Sequence, residues 1–246
     1  MKRQLRSEFL KQRTTRTTMS MVAAMLGLVL VTIALHGFGL PATRVTAGAD
    51  QLAVFIDVGG NLGSLFAALL GAMVMTGEVR YGTIRPTLLA TPQRGRVLVA
   101  KSVVALVTGV VFGALATALA GAAGSLFLSW RGVAVDLNAG DYVLLVAGGA
   151  VAAALWSVIG LGIGSMVRSQ VPTVVGIFIW VLFVENLLIG GFPEVGKFAP
   201  AALGRAVAGA TNSTLHSPAL AVGLLSLYAG AAFGLGWLAT TRRDFT

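Results

Sequence analysis

Six stretches of the chain contain no Asp, Glu, Lys or Arg, and their lengths decide what the chain can fold into. A helix rises about 1.5 Å per residue, so about 20 apolar residues cross the roughly 30 Å hydrocarbon layer of a bilayer. The stretches cover residues 17–43, 58–77, 102–130, 142–167, 169–184 and 206–241. They predict an all-α integral membrane protein with six transmembrane helices in one domain, residues 1–246, with the bundle over 17–241.

Composition agrees with this fold class. Charged residues make up 11% of the chain and hydrophobic residues 56%, whereas soluble domains carry about 25% charged residues. The net charge of +9 would suit nucleic-acid binding only if the basic residues shared one solvated surface. They cluster beside the apolar stretches instead, so we expect a lipid bilayer as partner and no nucleic acid. Cysteine is absent, which excludes disulfides and thiolate metal sites.

The basic residues are divided unevenly between the two sides of the predicted bundle. Lys and Arg resist translocation and collect in short cytoplasmic segments. One side holds Lys2, Arg3, Arg6, Lys11, Arg13, Arg16, Arg80, Arg85, Arg94, Arg96, Lys101, Arg168, Arg242 and Arg243. The other side holds Arg44, Arg131, Lys197 and Arg205. This split predicts a multi-pass protein of the cell inner (cytoplasmic) membrane with both termini inside.

Residues 1–16 are predicted to form an N-terminal interfacial helix. Leu5, Glu8, Phe9 and Gln12 fall on one side of such a helix and most basic groups elsewhere, so it could lie along the inner membrane surface. A frayed basic tail that only sets the topology is the alternative. The apolar stretch that follows is uninterrupted over 19–40, longer than the roughly 7 to 15 residues of a signal peptide core, so we expect it to be retained.

Two features resemble enzyme sites without completing one. Residues 191–197 have the spacing of a phosphate-binding loop, but Phe198 replaces the Ser or Thr that would hold magnesium, and no strand precedes them. His36 and His216 are the chain's two imidazoles, and no nucleophile motif or acidic cluster accompanies them. We therefore expect no catalytic residues, no metal site and no cofactor on this chain, which is predicted not to be an enzyme.

The loop between the second and third predicted helices carries the most specific pattern. Glu78 ends the second helix, and a short apolar helical turn and a proline follow before Lys101 opens the third helix. The residues of this pattern are Glu78, Gly82, Thr83, Leu88, Leu89, Pro92, Arg94 and Lys101. Together with the six-helix layout, it resembles the ABC-2 family of transporter permeases.

The resemblance implies the permease subunit of an ATP-binding cassette exporter of a small apolar or amphipathic substrate. Residues 78–101 would form a cytoplasmic coupling loop, and its coupling helix would rest in a cleft of a separate ATPase subunit. Two permeases, identical or homologous, and two ATPase subunits would form the transporter, with ATP and magnesium on the ATPase. Pro86 and Pro92 restrict the backbone around 87–91, which favours a rigid element. A non-transport membrane scaffold or intramembrane enzyme is the alternative.

Polar residues inside the predicted spans are the candidates for a translocation pathway. Asp57 and Glu185, with Asn186 beside it, lie near the outer ends of the second and fifth helices. A charge inside a bilayer is costly and needs a partner or water. A structural or interfacial role and a place in the pathway both agree with this position.

Glycines four residues apart recur at Gly59/Gly63, Gly109/Gly113, Gly160/Gly164 and Gly230/Gly234. Missing side chains at this spacing let helices approach closely. The pairs therefore indicate either packing within this chain or association with another subunit.

Overall fold

The computed structural model describes residues 2–39, 47–90, 93–210 and 215–242. Within these ranges the chain folds into helices without strands, and six helices are long and apolar enough to cross a membrane. The predicted fold class and the number of spans are confirmed. The chain is a multi-pass membrane protein.

Ten helices follow one another along the described residues. They are α1 (Lys2–Thr14), α2 (Arg16–Gly39), α3 (Gly48–Arg80), α4 (Ile84–Ala90), α5 (Arg94–Trp130), α6 (Ala139–Val167), α7 (Gln170–Gly191), α8 (Pro193–Gly196), α9 (Pro200–Val207) and α10 (Pro218–Arg242). The six spans are α2, α3, α5, α6, α7 and α10. Two of them contain a five-residue π-helical segment, Ile56–Gly60 in α3 and Trp180–Val184 in α7.

Helices α3 and α7 extend past the acids Asp57 and Glu185, at which the charge-free stretches that predicted them end. Helix α3 begins at Gly48 and continues through Asp57, and α7 continues through Glu185 to Gly191. Both acids have partners, because Asp57 pairs with Arg205 and Glu185 accepts two hydrogen bonds. A criterion based on charge alone ends a helix at such residues, whereas a partnered acid is compatible with a continuous helix.

Helices α3 and α6 form the centre of the bundle. Helix α6 packs against α3, α5 and α10, and α3 also contacts α2, α5 and α7. The α3–α6 contact brings backbone against backbone, since a Cβ added to Gly71 would lie 1.9 Å from the Ser157 carbonyl oxygen. A Cβ added to Gly160 would lie 1.9 Å from the Ala68 carbonyl oxygen. Small residues therefore set the separation of the two central helices.

The glycine pairs divide into two groups. A Cβ on any member of the pairs Gly59/Gly63, Gly109/Gly113 and Gly160/Gly164 would lie within 3.2 Å of another helix of the chain. No other described helix lies within 4 Å of the Cβ position of Gly230 or Gly234. The first three pairs serve packing within the chain, and the fourth lies on an open face.

Helix α1 folds back onto the bundle. It packs against α5, and the Gln12 side-chain oxygen accepts a hydrogen bond from Thr108 of α5. Phe9 and Leu10 remain exposed on its other face. We refer to the end of the bundle that carries α1 and α4 as the α4 side, and to the opposite end as the α9 side.

Candidate functional site

Four charged side chains form a network on the α4 side. Lys101 of α5 places its Nζ 2.9 Å from Glu8 Oε2 and 2.7 Å from Glu78 Oε1. Lys11 of α1 contacts the same two acids, with its Nζ 2.7 Å from Glu8 Oε1 and 2.7 Å from Glu78 Oε1. Each lysine thus lies between two carboxylates, and the network carries no net formal charge.

Burial makes this network sensitive to the loss of any member. The Lys101 side chain is 1% exposed and that of Glu8 is 5% exposed. An ion removed from water loses several kcal/mol of solvation, which only close partners offset. Lys101 also lies 3.5 Å from the Val74 carbonyl oxygen, so its ammonium has a third acceptor.

The network holds Glu8 and Lys11 in their charged forms. Burial by itself raises the pKa of Glu8, but the attraction of Lys101 and the hydrogen bonds from Lys11 and Lys101 outweigh it and lower the pKa below 4.5. Burial lowers the pKa of Lys11, but hydrogen bonds to Glu78 and Glu8 outweigh that effect and raise the pKa above 10.5. The stabilisation is therefore complete at neutral pH. It is lost only as pH falls through the lowered pKa of Glu8 or rises through the raised pKa of Lys11.

The network joins three separate segments of the chain. Glu8 and Lys11 belong to α1, Glu78 to the end of α3, and Lys101 to the first turns of α5. The structure thus places the predicted coupling residues Glu78 and Lys101 against each other and against α1, with Lys101 pointing inward. Sequence analysis missed Glu8 as their partner, although a single acid within a strongly basic segment could have indicated it.

A turn and the short helix α4 lie between the ends of the 78–101 loop. Gly82 has φ +69°, and no described residue beyond its chain neighbours lies within 4 Å of its Cβ position, so the turn needs glycine for its backbone conformation. Thr83 is exposed, and its carbonyl oxygen accepts a hydrogen bond from the Thr87 hydroxyl. Ile84 is buried beside Met75. Buried Ile84 thus anchors α4 to the bundle.

The remaining predicted loop residues differ in their surroundings. Leu89 is 83% exposed, while the side chain of Leu88 and the whole of Pro92 lie outside the described residues. Arg94 is partly buried, and its Nη1 lies 3.4 Å from the Thr240 carbonyl oxygen at the end of α10. The next residue, Gly95, lies against the Trp237 ring. The start of α5 is therefore fixed to α10.

A cavity of about 390 Å³ adjoins the network on the α4 side. We call it the inner cavity. The α1–α2 junction, α3 and the first residue of α7 enclose it, and Glu8, Lys11, Glu78, Leu70 and Gln170 are among its lining residues. Glu78 Oε2 is buried and has no hydrogen-bond partner.

A second cavity, of about 190 Å³, lies towards the α9 side. We call it the outer cavity. It brings together the three residues predicted for a translocation pathway, Asp57, Glu185 and Asn186, and adds His36 of α2 and Arg205 of α9. Sequence analysis did not identify Arg205 as a partner of Asp57, since 148 residues separate them and only the fold brings α9 onto α3.

The polar groups of the outer cavity have different partners. Glu185 is fully buried; its Oε1 accepts a hydrogen bond from the Trp180 indole at 2.8 Å, and its Oε2 accepts one from the Ala201 backbone N–H at 3.0 Å. Arg205 Nε lies 2.8 Å from Asp57 Oδ1. His36 Nδ1 lies 2.9 Å from the Thr32 carbonyl oxygen.

Both π-helical segments contribute to the wall of the outer cavity. Asp57 and Val58 belong to the segment in α3, and Val181 and Leu182 to the one in α7. The Asn186 side-chain amide donates to the Val181 and Leu182 carbonyl oxygens at 3.2 and 3.0 Å. Asn186 thereby supports the distorted turn that precedes Glu185. Such turns within α-helices are frequent at functional sites.

Apolar side chains separate the two cavities. Leu65 lines the outer cavity and Leu70 the inner one, on the same helix α3. Leu65, Leu69 and Leu70 are each at most 5% exposed. Met21 of α2 packs against the buried clusters that contain Leu65 and Leu70. In this conformation the two cavities are therefore closed off from each other.

The structure describes the surroundings of the two features that resembled enzyme sites. Pro193–Gly196 is a four-residue helix, and Lys197 pairs with Glu194. His36 lines the outer cavity, whereas His216 stacks against Phe198. Over the described ranges, no three His, Asp or Glu side chains come together as metal ligands.

Comparison with known protein families gives a match over most of the chain. Residues 4–184 match the family described as "ABC-2 family transporter protein". The matched range covers most of the chain and contains most of α1, the 78–101 loop and all of α3, and it ends one residue before Glu185. No curated protein matches the chain significantly.

Proposed function

The chain belongs to the ABC-2 family of transporter membrane proteins, and we propose that it is the permease subunit of an ATP-driven exporter whose ATP is hydrolysed on a separate subunit. ATP and magnesium are bound by that subunit. Two permeases, identical or homologous, and two ATPase subunits form the working transporter.

The buried charge network is the observation that carries this proposal. Its ion pairs, with N–O distances of 2.7 to 2.9 Å, hold α1 against both ends of the 78–101 loop. A loop fixed at both ends can transmit a rigid-body movement to the spans that it joins, which a free loop cannot. Force applied to α4 therefore reaches α3 and α5 together.

The proposed coupling residues act in two ways. Thr83 and Leu89 are exposed around α4 and are available to contact the ATPase subunit. Leu88 and Pro92 belong to the same contact in this proposal. Gly82 shapes the turn, while Glu78, Lys101 and Arg94 hold the ends of the loop on α1 and α10. These last three residues act on the ATPase contact only by positioning the loop.

The proposed route for the cargo follows α3 between α2 and α7. The inner and outer cavities lie along this line, with the leucines of α3 as the closed barrier between them. Asp57, Glu185 and Asn186 belong to the outer end of the route. Helices α2 and α7 are peripheral, so their displacement would open the barrier without disturbing the central α3–α6 contact.

We propose that the α4 side faces the cytoplasm and that both termini lie on the cytoplasmic side of the inner membrane. The unequal distribution of Lys and Arg supports this orientation. Reporter fusions after Arg96 and after Thr246 are expected to report a cytoplasmic position, and a fusion after Asp136 an external one. An external signal after Thr246 would contradict six crossings.

Purification with a partner tests the function. The tagged chain, co-expressed with an ATP-binding cassette ATPase subunit from the same genome, is expected to co-purify with it as a complex that hydrolyses ATP. The same chain expressed alone is expected to hydrolyse none. Hydrolysis by the chain alone would overturn the assignment of the nucleotide site to a partner.

A further inference from the structure

We propose that the outer cavity binds the positively charged head of an amphipathic cargo, with Glu185 as the main recognition group and Asp57 as the second. This inference rests on the proposed transport function and names the chemical class of the molecule transported. It follows from the balance of charge in the two cavities and from the apolar side chains around them.

The outer cavity holds more negative than positive charge. The described residues that line it include two acids, Asp57 and Glu185. They also include one guanidinium, that of Arg205, and one imidazole, that of His36. Arg205 contacts Asp57 at 2.8 Å, so its charge is already matched. With both acids ionised and His36 neutral, the lining carries one uncompensated negative charge.

Glu185 is the acid of the outer cavity that a bound cation would pair with. Its two hydrogen-bond donors, the Trp180 indole and the Ala201 backbone N–H, are both uncharged. These donors orient the carboxylate, and neither of them is a cation that would pair with it. A buried carboxylate in a membrane segment is costly without such a partner.

The inner cavity independently offers a carboxylate oxygen at the other end of the route. Glu78 uses Oε1 for both lysines of the network, while its Oε2 is buried and has no hydrogen-bond partner among the described residues. An unpartnered buried acceptor loses its hydration without replacement. A cationic or hydrogen-bond donating head in the inner cavity would satisfy it. Both cavities therefore favour the same ligand chemistry.

The rest of the lining selects an apolar body. The outer cavity is also lined by apolar side chains, those of Val58, Leu62, Leu65, Val181 and Ile189. Burial of apolar ligand surface against such side chains is favourable by about 25 cal/mol per Å². An amphipathic molecule with a cationic head fits this arrangement, whereas an anionic head would face two carboxylates.

Binding of two ions of similar shape and opposite charge tests the inference. Tetraphenylphosphonium and tetraphenylborate would each be titrated against the full 246-residue chain in nanodiscs of neutral lipid, without ATPase, and empty nanodiscs would be subtracted. The wild-type chain is expected to bind tetraphenylphosphonium saturably and tetraphenylborate not at all. Glu185→Gln, which removes the charge and keeps an acceptor oxygen for one of the two donors, Trp180 or Ala201, is expected to weaken cation binding about tenfold or more.

Glu194→Gln is the matched control, because it removes an exposed acid of the α9 side that pairs with Lys197 outside the cavity. Cation binding is expected to be unchanged in this variant, and Asp57→Asn is expected to weaken it less than Glu185→Gln does. Equal binding of both ions, or unchanged cation binding in Glu185→Gln, would overturn the cargo class. Because the titration contains no ATPase, this failure is separate from a failure of the transport proposal, which co-purification tests.

Discussion

Lys101→Met is expected to destabilise the fold by about 3–5 kcal/mol and to uncouple ATP hydrolysis from transport, because breaking a buried ion network leaves its remaining charges uncompensated. Glu8 and Glu78 would then share only Lys11, whose side chain is 43% exposed. Two carboxylates held near one lysine repel each other, and we expect α1 to detach from α3 and α5. The readouts are the thermal unfolding temperature in detergent and the ATP hydrolysis of the complex.

Two further variants identify the cause of this effect. Lys197→Met breaks an ion pair whose acid is 87% exposed and should leave stability nearly unchanged, because water screens such a pair. Adding Glu8→Gln to Lys101→Met removes the surplus negative charge and should recover part of the lost stability. If Lys101→Met unfolds at the wild-type temperature, the network does not hold α1 in place.

Gly82→Val is expected to abolish association with the ATPase while leaving the membrane domain folded. Gly82 has φ +69°, a conformation that a β-branched residue adopts only with strain of about 1–3 kcal/mol. Within the part of the chain that the structure describes, only its chain neighbours lie within 4 Å of the new Cβ, so the effect comes from the backbone of the turn and not from a clash. The turn would relax and reorient α4. Pull-down of the ATPase subunit by the purified variant measures the effect.

Gly132 provides a matched control for this substitution. It has φ +73° and an equally open Cβ position, but it lies between α5 and α6 on the α9 side. Gly132→Val carries similar strain and should still bind the ATPase. Equal binding by Gly82→Val and wild type would contradict the assignment of this loop as the ATPase contact.

The six spans could be predicted from the sequence because bilayer thickness fixes the length of an apolar helix. Their ends were less accurate where a charge has a distant partner. Asp57 ended the predicted second span, yet α3 continues through it to Gly48, because Arg205 on α9 neutralises the carboxylate. The pattern of charges along a chain does not reveal which of them will meet.

The candidate site could be predicted only as separate residues. Glu78 and Lys101 were identified from the loop, and Asp57 and Glu185 from their depth in the spans, but their contacts depend on tertiary packing. The fold-back of α1 brings Glu8 to Lys101, and the docking of α9 brings Arg205 to Asp57. The two cavities and the leucine barrier likewise result from the placement of α2 and α7 around α3.

ATP hydrolysis by the purified complex in nanodiscs tests the central claim most directly. The account predicts that the tagged chain brings an ATPase subunit with it, that the complex hydrolyses ATP, and that the chain alone does not. It also predicts that Gly82→Val loses both the partner and the hydrolysis, whereas Gly132→Val keeps them. A chain that purifies without an ATPase when one is co-expressed, or that hydrolyses ATP by itself, would contradict its role as a permease driven by a separate subunit.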